Sequence, residues 1–162
     1  MTVGRDRFYW RRVKLLIEQR DEFWVDPDDA DARFVEIVPR EHWAKIMGET
    51  ATDFGFLKVD PQRTAIYYEG DRRRMCIPTE TMTACVGEPI IDFQGKAQHY
   101  AAVVSASDGL TDVELPFIVL GPPWASGRNR SRRRVEELLA RMAVTAQPAG
   151  DDDAPTNAPT DL

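Results

Sequence analysis

The chain has 162 residues, 43% hydrophobic and 30% charged, with 21 Lys+Arg against 27 Asp+Glu and a net charge of −6. That suits one globular domain, and the acidic balance argues against a dedicated nucleic-acid binder. No apolar run approaches the roughly 18 residues of a membrane span, and the Arg-rich start lacks the apolar core of a signal peptide, so an unexported, cytoplasmic protein is expected.

A chain of this size buries about two-thirds of its unfolded surface, so it needs neither a disulfide framework nor a structural metal. Its two cysteines fit that expectation. The charge is unevenly placed. Residues 1–20 carry six cations and two acids, as do residues 128–141, whereas residues 21–127 carry nine cations against nineteen acids. The pattern predicts an acidic body with two basic helical ends.

Tyr9, Trp10, Val13, Leu16 and Ile17 recur at three- and four-residue spacing and predict an amphipathic helix over residues 6–20. So wide and aromatic a stripe needs a cover, which makes these five residues a candidate N-terminal interface: with the chain's own body, with a second copy or with a membrane. The segment Asp26-Pro27-Asp28-Asp29-Ala30-Asp31 reads as an acidic hinge, so residues 1–32 are set apart from a body that starts at Arg33. Strands are predicted over 33–38, 54–59, 64–68, 74–77, 83–91, 98–105 and 111–120, with a short helix over 41–47. Asp60-Pro61, Glu69-Gly70-Asp71 and Ser107-Asp108-Gly109 mark turns between them. After Gly121-Pro122-Pro123, Val135, Leu138, Leu139 and Met142 form the single apolar stripe of a second helix. The body is expected to run over 33–146, and the acidic, proline-containing residues 147–162 to be disordered.

Seven short antiparallel strands closed off by one amphipathic helix is the element order of the pleckstrin-homology superfold. The run Gly55-Phe56-Leu57-Lys58-Val59-Asp60, Ala65-Ile66-Tyr67-Tyr68-Glu69-Gly70-Asp71-Arg72 and Met75-Cys76-Ile77-Pro78 resembles the strand-turn-strand core of bacterial pleckstrin-homology-like domains. It is also similar to uncharacterised planctomycete proteins in which such a domain follows membrane-spanning segments. The resemblance covers residues 33–143. It implies an α+β, mainly β fold: a seven-stranded bent antiparallel sandwich or barrel, plugged by the C-terminal helix, with the N-terminal helix as an addition. Phosphoinositide-binding members carry a basic motif between their first two strands. Here Arg40 and Lys45 stand among Glu41, Glu49 and Asp53, so headgroup recognition is not implied.

Candidate chemistry is sparse. His42 and His99 lie in no metal-ligand spacing. Cys76 and Cys85 would face each other if the chain made a hairpin about Glu80-Thr81, and buried reduced thiols are expected there in preference to a disulfide or a shared metal. No phosphate-cradling loop or nucleophile elbow occurs, and Ser105-Ala106-Ser107-Asp108-Gly109 reads as a turn. No catalytic residue, cofactor or metal is expected.

The densest basic cluster is Arg128, Arg130, Arg132, Arg133 and Arg134, which opposes the dipole if it opens a helix. Either these arginines are solvated or paired with acids, or they form a surface for an anion or an acidic partner. Arg72, Arg73 and Arg74 look like a charged hairpin edge. Phe8, Tyr9 and Trp10, flanked by Arg5, Arg7, Arg11 and Arg12, also resemble the cytoplasmic end of a membrane span, which would make the first helix juxtamembrane in a longer protein. The expected function is a non-enzymatic pleckstrin-homology-like interaction module presenting a surface to a protein partner or its own second copy. The alternative is a peripheral or juxtamembrane domain at the inner face of a membrane, binding anionic lipid nonspecifically through its basic helices.

Overall fold

The computed structural model describes residues 2–45, 51–91, 94–120 and 128–146, the side chains of residues 2, 3, 45, 98, 128–130 and 144–146 excepted. Strands β1 (Arg33–Ile37), β2 (Asp53–Asp60), β3 (Ala65–Gly70), β4 (Arg74–Pro78), β5 (Met82–Ile91), β6 (Ala97–Ser107) and β7 (Asp112–Val119) form one antiparallel sheet in the order β4-β3-β2-β1-β7-β6-β5. Helix α1 (Thr2–Glu18) precedes them and α2 (Arg128–Ala146) follows; 3₁₀ turns lie at Arg40–Lys45 and Thr79–Thr81. The sheet is two meanders, β1 to β4 and β5 to β7, joined where Val35 pairs with Val119 and Ile37 with Phe117.

The connection between the meanders dictates the sheet's shape. Strands β4 and β5 are its two edges, yet only the turn Thr79–Thr81 separates them in the chain. Four Cα steps reach about 14 Å at most. A flat sheet of this width would hold its edges about 29 Å apart, so the sheet must curl round on itself.

The curl encloses the main core. Alternate residues point inward: Val35 and Ile37 from β1, Leu57 and Val59 from β2, Ile66 and Tyr68 from β3, Ala102 and Val104 from β6, Leu115 and Phe117 from β7. Val135, Leu138 and Met142 of α2 are all buried against them, while Leu139 is partly so. Gly87 permits the close approach of α2 to β5, since a Cβ there would lie 3.1 Å from Leu139 Cδ1. Ser131 Oγ adds a tie to β6 by accepting from the Tyr100 N–H at 3.2 Å. Gly55 and Gly70 are paired across β2 and β3 because the Tyr68 ring lies over them; a Cβ at either would come within 2.6 Å of it.

The outer face carries two further clusters. Val38, Ile90, Ala101, Val103 and Ile118 pack under Trp43 of the first 3₁₀ turn, so β6 is buried on both faces. Phe34, Phe54 and Phe56 receive α1.

Three expectations need correction. The first helix begins at Thr2 rather than residue 6 and ends at Glu18, where the Arg20 side chain turns away to the sheet. The acidic segment 26–31 is no free hinge: Asp28, Asp29 and Asp31 pair with Lys14, Lys58 and Arg141, and Val25 and Pro27 are buried. No hairpin forms about Glu80-Thr81. Cys76 pairs with Tyr67 of β3 and is exposed because Ile77 takes the inward position beside it. Cys85 pairs with Val104 of β6 and is half-buried, its sulfur against Met142 Sδ. Both thiols are free, and burial pushes that of Cys85 up to about 11. The tail 147–162, Gly121-Pro122-Pro123 and the end of the short helix at 46–47 lie outside the described residues.

Candidate functional site

The placement of α1 decides which of its residues can meet a partner. Val13 and Ile17 are fully buried on the outer aromatic patch. Tyr9 stacks on Phe54 with ring centroids 4.1 Å apart and planes 4° from parallel, and Trp10 meets Phe56 edge-on at 6.4 Å. The predicted N-terminal interface is therefore covered by the chain's own body, with Leu16 half-buried at its margin.

Ion pairs fix the helix along its length. Arg5 Nη2 reaches Glu36 Oε2 at 3.2 Å, Arg12 reaches Asp71 at 3.1 Å, and Lys14 pairs with Asp28. Just past the helix, Arg20 pairs with Glu69 and donates to Gly70 O at 2.7 Å. Glu69 is wholly buried and also accepts from Arg74 Nε and from the Trp24 N–H, at 2.8 Å for the latter, so its charge is compensated. Arg74 in turn stacks over the Trp24 ring at 4.7 Å.

Two buried carboxylates are less well served. Burial pushes Glu36 up to about 7, and Arg5 only partly offsets this. His99, half-buried and under the influence of Arg5 and Asp6, is lowered chiefly by burial. Asp53 is raised by burial although its Oδ1 accepts from the N–H groups of Phe54 and Arg72 at 2.9 and 3.0 Å. Its Oδ2 and the Tyr68 hydroxyl are buried in the space that Gly70 leaves, neither with a well-aligned hydrogen bond. Among the described residues, no three His, Cys, Asp or Glu side chains cluster in a way that could hold a metal. The Asp108 turn does what its sequence suggests: Oδ1 accepts from Leu110 and Thr111, and Gly109 supplies the positive φ of 85°.

The arginines of α2 are largely occupied. Arg132 and Arg133 pair with Glu136 and Glu137, one turn on, at 2.8 and 3.0 Å, and Arg132 also lies over the Tyr100 ring at 5.8 Å. Arg134 sits half-buried in a groove shared with Trp10, Phe34 and Phe56. The side chains of Arg128 and Arg130 lie outside the described residues.

What the body leaves open is the far side of α1. Phe8 and Leu15 are 61% and 57% exposed. They lie two turns apart on one line, with a notch between them lined by Arg7, Arg11, Arg12 and Leu16. Arg12 is held by Asp71, whereas Arg7 and Arg11 have no ion pair among the described residues. At the far end Gln19 connects this strip to an open recess where Arg72, Arg73 and Arg74 stand beside Asp21 and Glu22. Phe23 and Trp24, 44% and 49% exposed, lie just beyond the helix. The available signal for this face is the seven-residue interval between Phe8 and Leu15, which is in register with a helix and out of phase with Val13 and Ile17.

No family model matches the sequence, and no curated protein matches it. Among solved structures, the chain is similar to the hSac2 domain from human phosphoinositide phosphatase Sac2, with 12% identity, 87% of this chain and 82% of that chain covered, and a TM-score of 0.43. No helix among the described residues is long and apolar enough to cross a membrane.

Proposed function

We propose that the chain is a non-enzymatic, pleckstrin-homology-like interaction module whose working surface is the outward face of α1. The fold half of the reading is supported by the two meanders joined at β1 and β7, the unpaired edges β4 and β5, and a C-terminal helix packed into the curled sheet. The observation that carries the functional half is that α1 has two apolar faces and the body covers one. Tyr9, Trp10, Val13 and Ile17 pack on the sheet, while Phe8 and Leu15 stay exposed beside Arg7 and Arg11, which have no ion pair among the described residues. Exposed large apolar side chains rimmed by charge mark interaction sites.

A photoreactive benzoylphenylalanine in place of Leu15 tests this in the cells that make the protein. A discrete adduct of higher mass is expected, absent when the same group replaces Val86, which is 46% exposed on edge strand β5. Equal labelling at both positions, or none, overturns the reading.

A further inference from the structure

We infer that the outward face of α1 takes one helix of a partner protein, apolar along its seam and acidic along its flanks. The inference rests on the interaction-module reading above and names the partner's chemistry. The strip is about 22 Å long from Gly4 to Gln19, the length of a four-turn helix. Phe8 and Leu15 stand as two knobs with a notch between them, a relief that a facing helix fills with a side chain of its own. The residues lining the strip include several arginines and no acid, so charge complementarity must come from the other side.

Other occupants fit less well. A second copy related by two-fold symmetry would set this strip against itself, bringing arginines to arginines with no acid between them. The acidic segment of a second copy is already engaged, since Asp28, Asp29 and Asp31 pair within their own chain. Residues 151–162 supply four aspartates but only one large apolar side chain, Leu162, to meet Phe8 and Leu15. A membrane is a plane rather than a ridge: laid along α1, it would press on exposed Glu18, Asp21 and Glu22 as well as on the arginines. A four-turn helix ends with the strip at Gln19, short of Asp21 and Glu22, and meets of those acids only Glu18, which faces Lys14.

The probe is a synthetic, fluorescein-labelled helical peptide with leucines along one face and glutamates on both flanks, paired with a twin in which lysines replace the glutamates. Binding to the full chain is read by anisotropy, beside flotation with vesicles of phosphatidylcholine and phosphatidylserine. The glutamate peptide is expected to bind at least about tenfold more tightly than its twin, and to lose about tenfold with the chain carrying Arg7→Glu and Arg11→Glu. Leu15→Ser should weaken it as well, and Arg132→Glu with Arg133→Glu should not. Melting curves of each variant confirm that the fold is retained. Equal affinity for both peptides, or no binding, overturns the inference; if benzoylphenylalanine at position 15 still forms an adduct, the interaction surface stands and only the partner's chemistry falls. Vesicle binding lost with Arg7→Glu and Arg11→Glu, without peptide binding, overturns it in favour of a lipid surface. A dimer in light scattering that Leu15→Ser dissolves overturns it in favour of a second copy.

Discussion

The two basic ends of the fold, residues 1–20 and 128–141, carry the same charge balance in the sequence, yet their helices end in opposite situations. In α2, glutamates stand four residues after Arg132 and Arg133, and Asp31 reaches Arg141, so those cations are answered within the chain. In α1, the residue four after Arg7 is Arg11 and the residue four after Arg11 is Leu15, so neither finds an acid on its own helix. The apolar stripes differ too. That of α2 enters the curled sheet, whereas α1 lies on the outside and keeps a second stripe free. Net charge thus says little about which helix can meet an anionic partner; the i,i+4 spacing of acids decides it.

The sharpest way to break this comparison is to remove α2. Truncation before Arg128 takes Val135, Leu138 and Met142 out of the core. Each is worth about 1.5–3 kcal/mol, so the loss rivals the stability of a small domain. Calorimetry should then show no cooperative transition; a persistent one would mean that α2 is an ornament like the outer face of α1.

Within α1 the two faces should respond unequally. Ile17→Ala, in the fully buried stripe, should cost about 2–5 kcal/mol in urea unfolding. Leu15→Ala should change stability by less than about 0.5 kcal/mol. Comparable losses at both would show that the outward stripe is structural.

Glu36 ties the seating of α1 to pH. Its ordinary value is 4.5 and the fold raises it to about 7. Below 4.5 the group is protonated in both states and costs nothing. Between 4.5 and about 7 the unfolded chain gives up this proton while the folded one keeps it, so about 3 kcal/mol of stability is lost across that window, and above 7, where the folded protein too holds the carboxylate, the loss is complete. In Glu36→Gln this part of the pH dependence should vanish, leaving the variant more stable than the parent at pH 8 and close to it at pH 4. An unchanged slope in urea titrations across that range would show that Arg5 compensates Glu36 fully.

The smallest effect is expected at α2's surface. Reversing Arg132 and Arg133 to Glu removes two exposed pairs, each worth about 0.3–0.5 kcal/mol. A larger loss would mean that the arginines hold the helix to the sheet.

Much of this architecture is legible in the sequence, because alternation is local. Leu57 and Val59, or Leu115 and Phe117, announce which face turns inward, and Val135, Leu138 and Met142 announce the plugging helix. Pairing is not local. Glu80-Thr81 has the look of a hairpin turn, but nothing in nearby residues says that β5 prefers β6 and that β4 pairs with β3 alone. The burial of Glu36 and Glu69 is equally hidden, since it arises only when α1 and the Trp24 segment settle over them. The outward face of α1 lies between these cases. Read along the chain, Phe8, Tyr9 and Trp10 form one aromatic segment. At about 100° per residue they fan round the helix, and only Phe8 falls on the line of Leu15.

The link Thr79–Thr81 has a further consequence for connectivity. It joins strands that share no ladder, none of its residues is buried, and its Glu80 is exposed. A single cut at Glu80 would therefore leave every strand pair of the sheet intact, with the halves held together by β1 against β7 and by α2, which packs against strands of both. The chain is in effect two interlocking pieces with a dispensable bridge, and separately made fragments ending and beginning at that bridge should find each other and rebuild the whole.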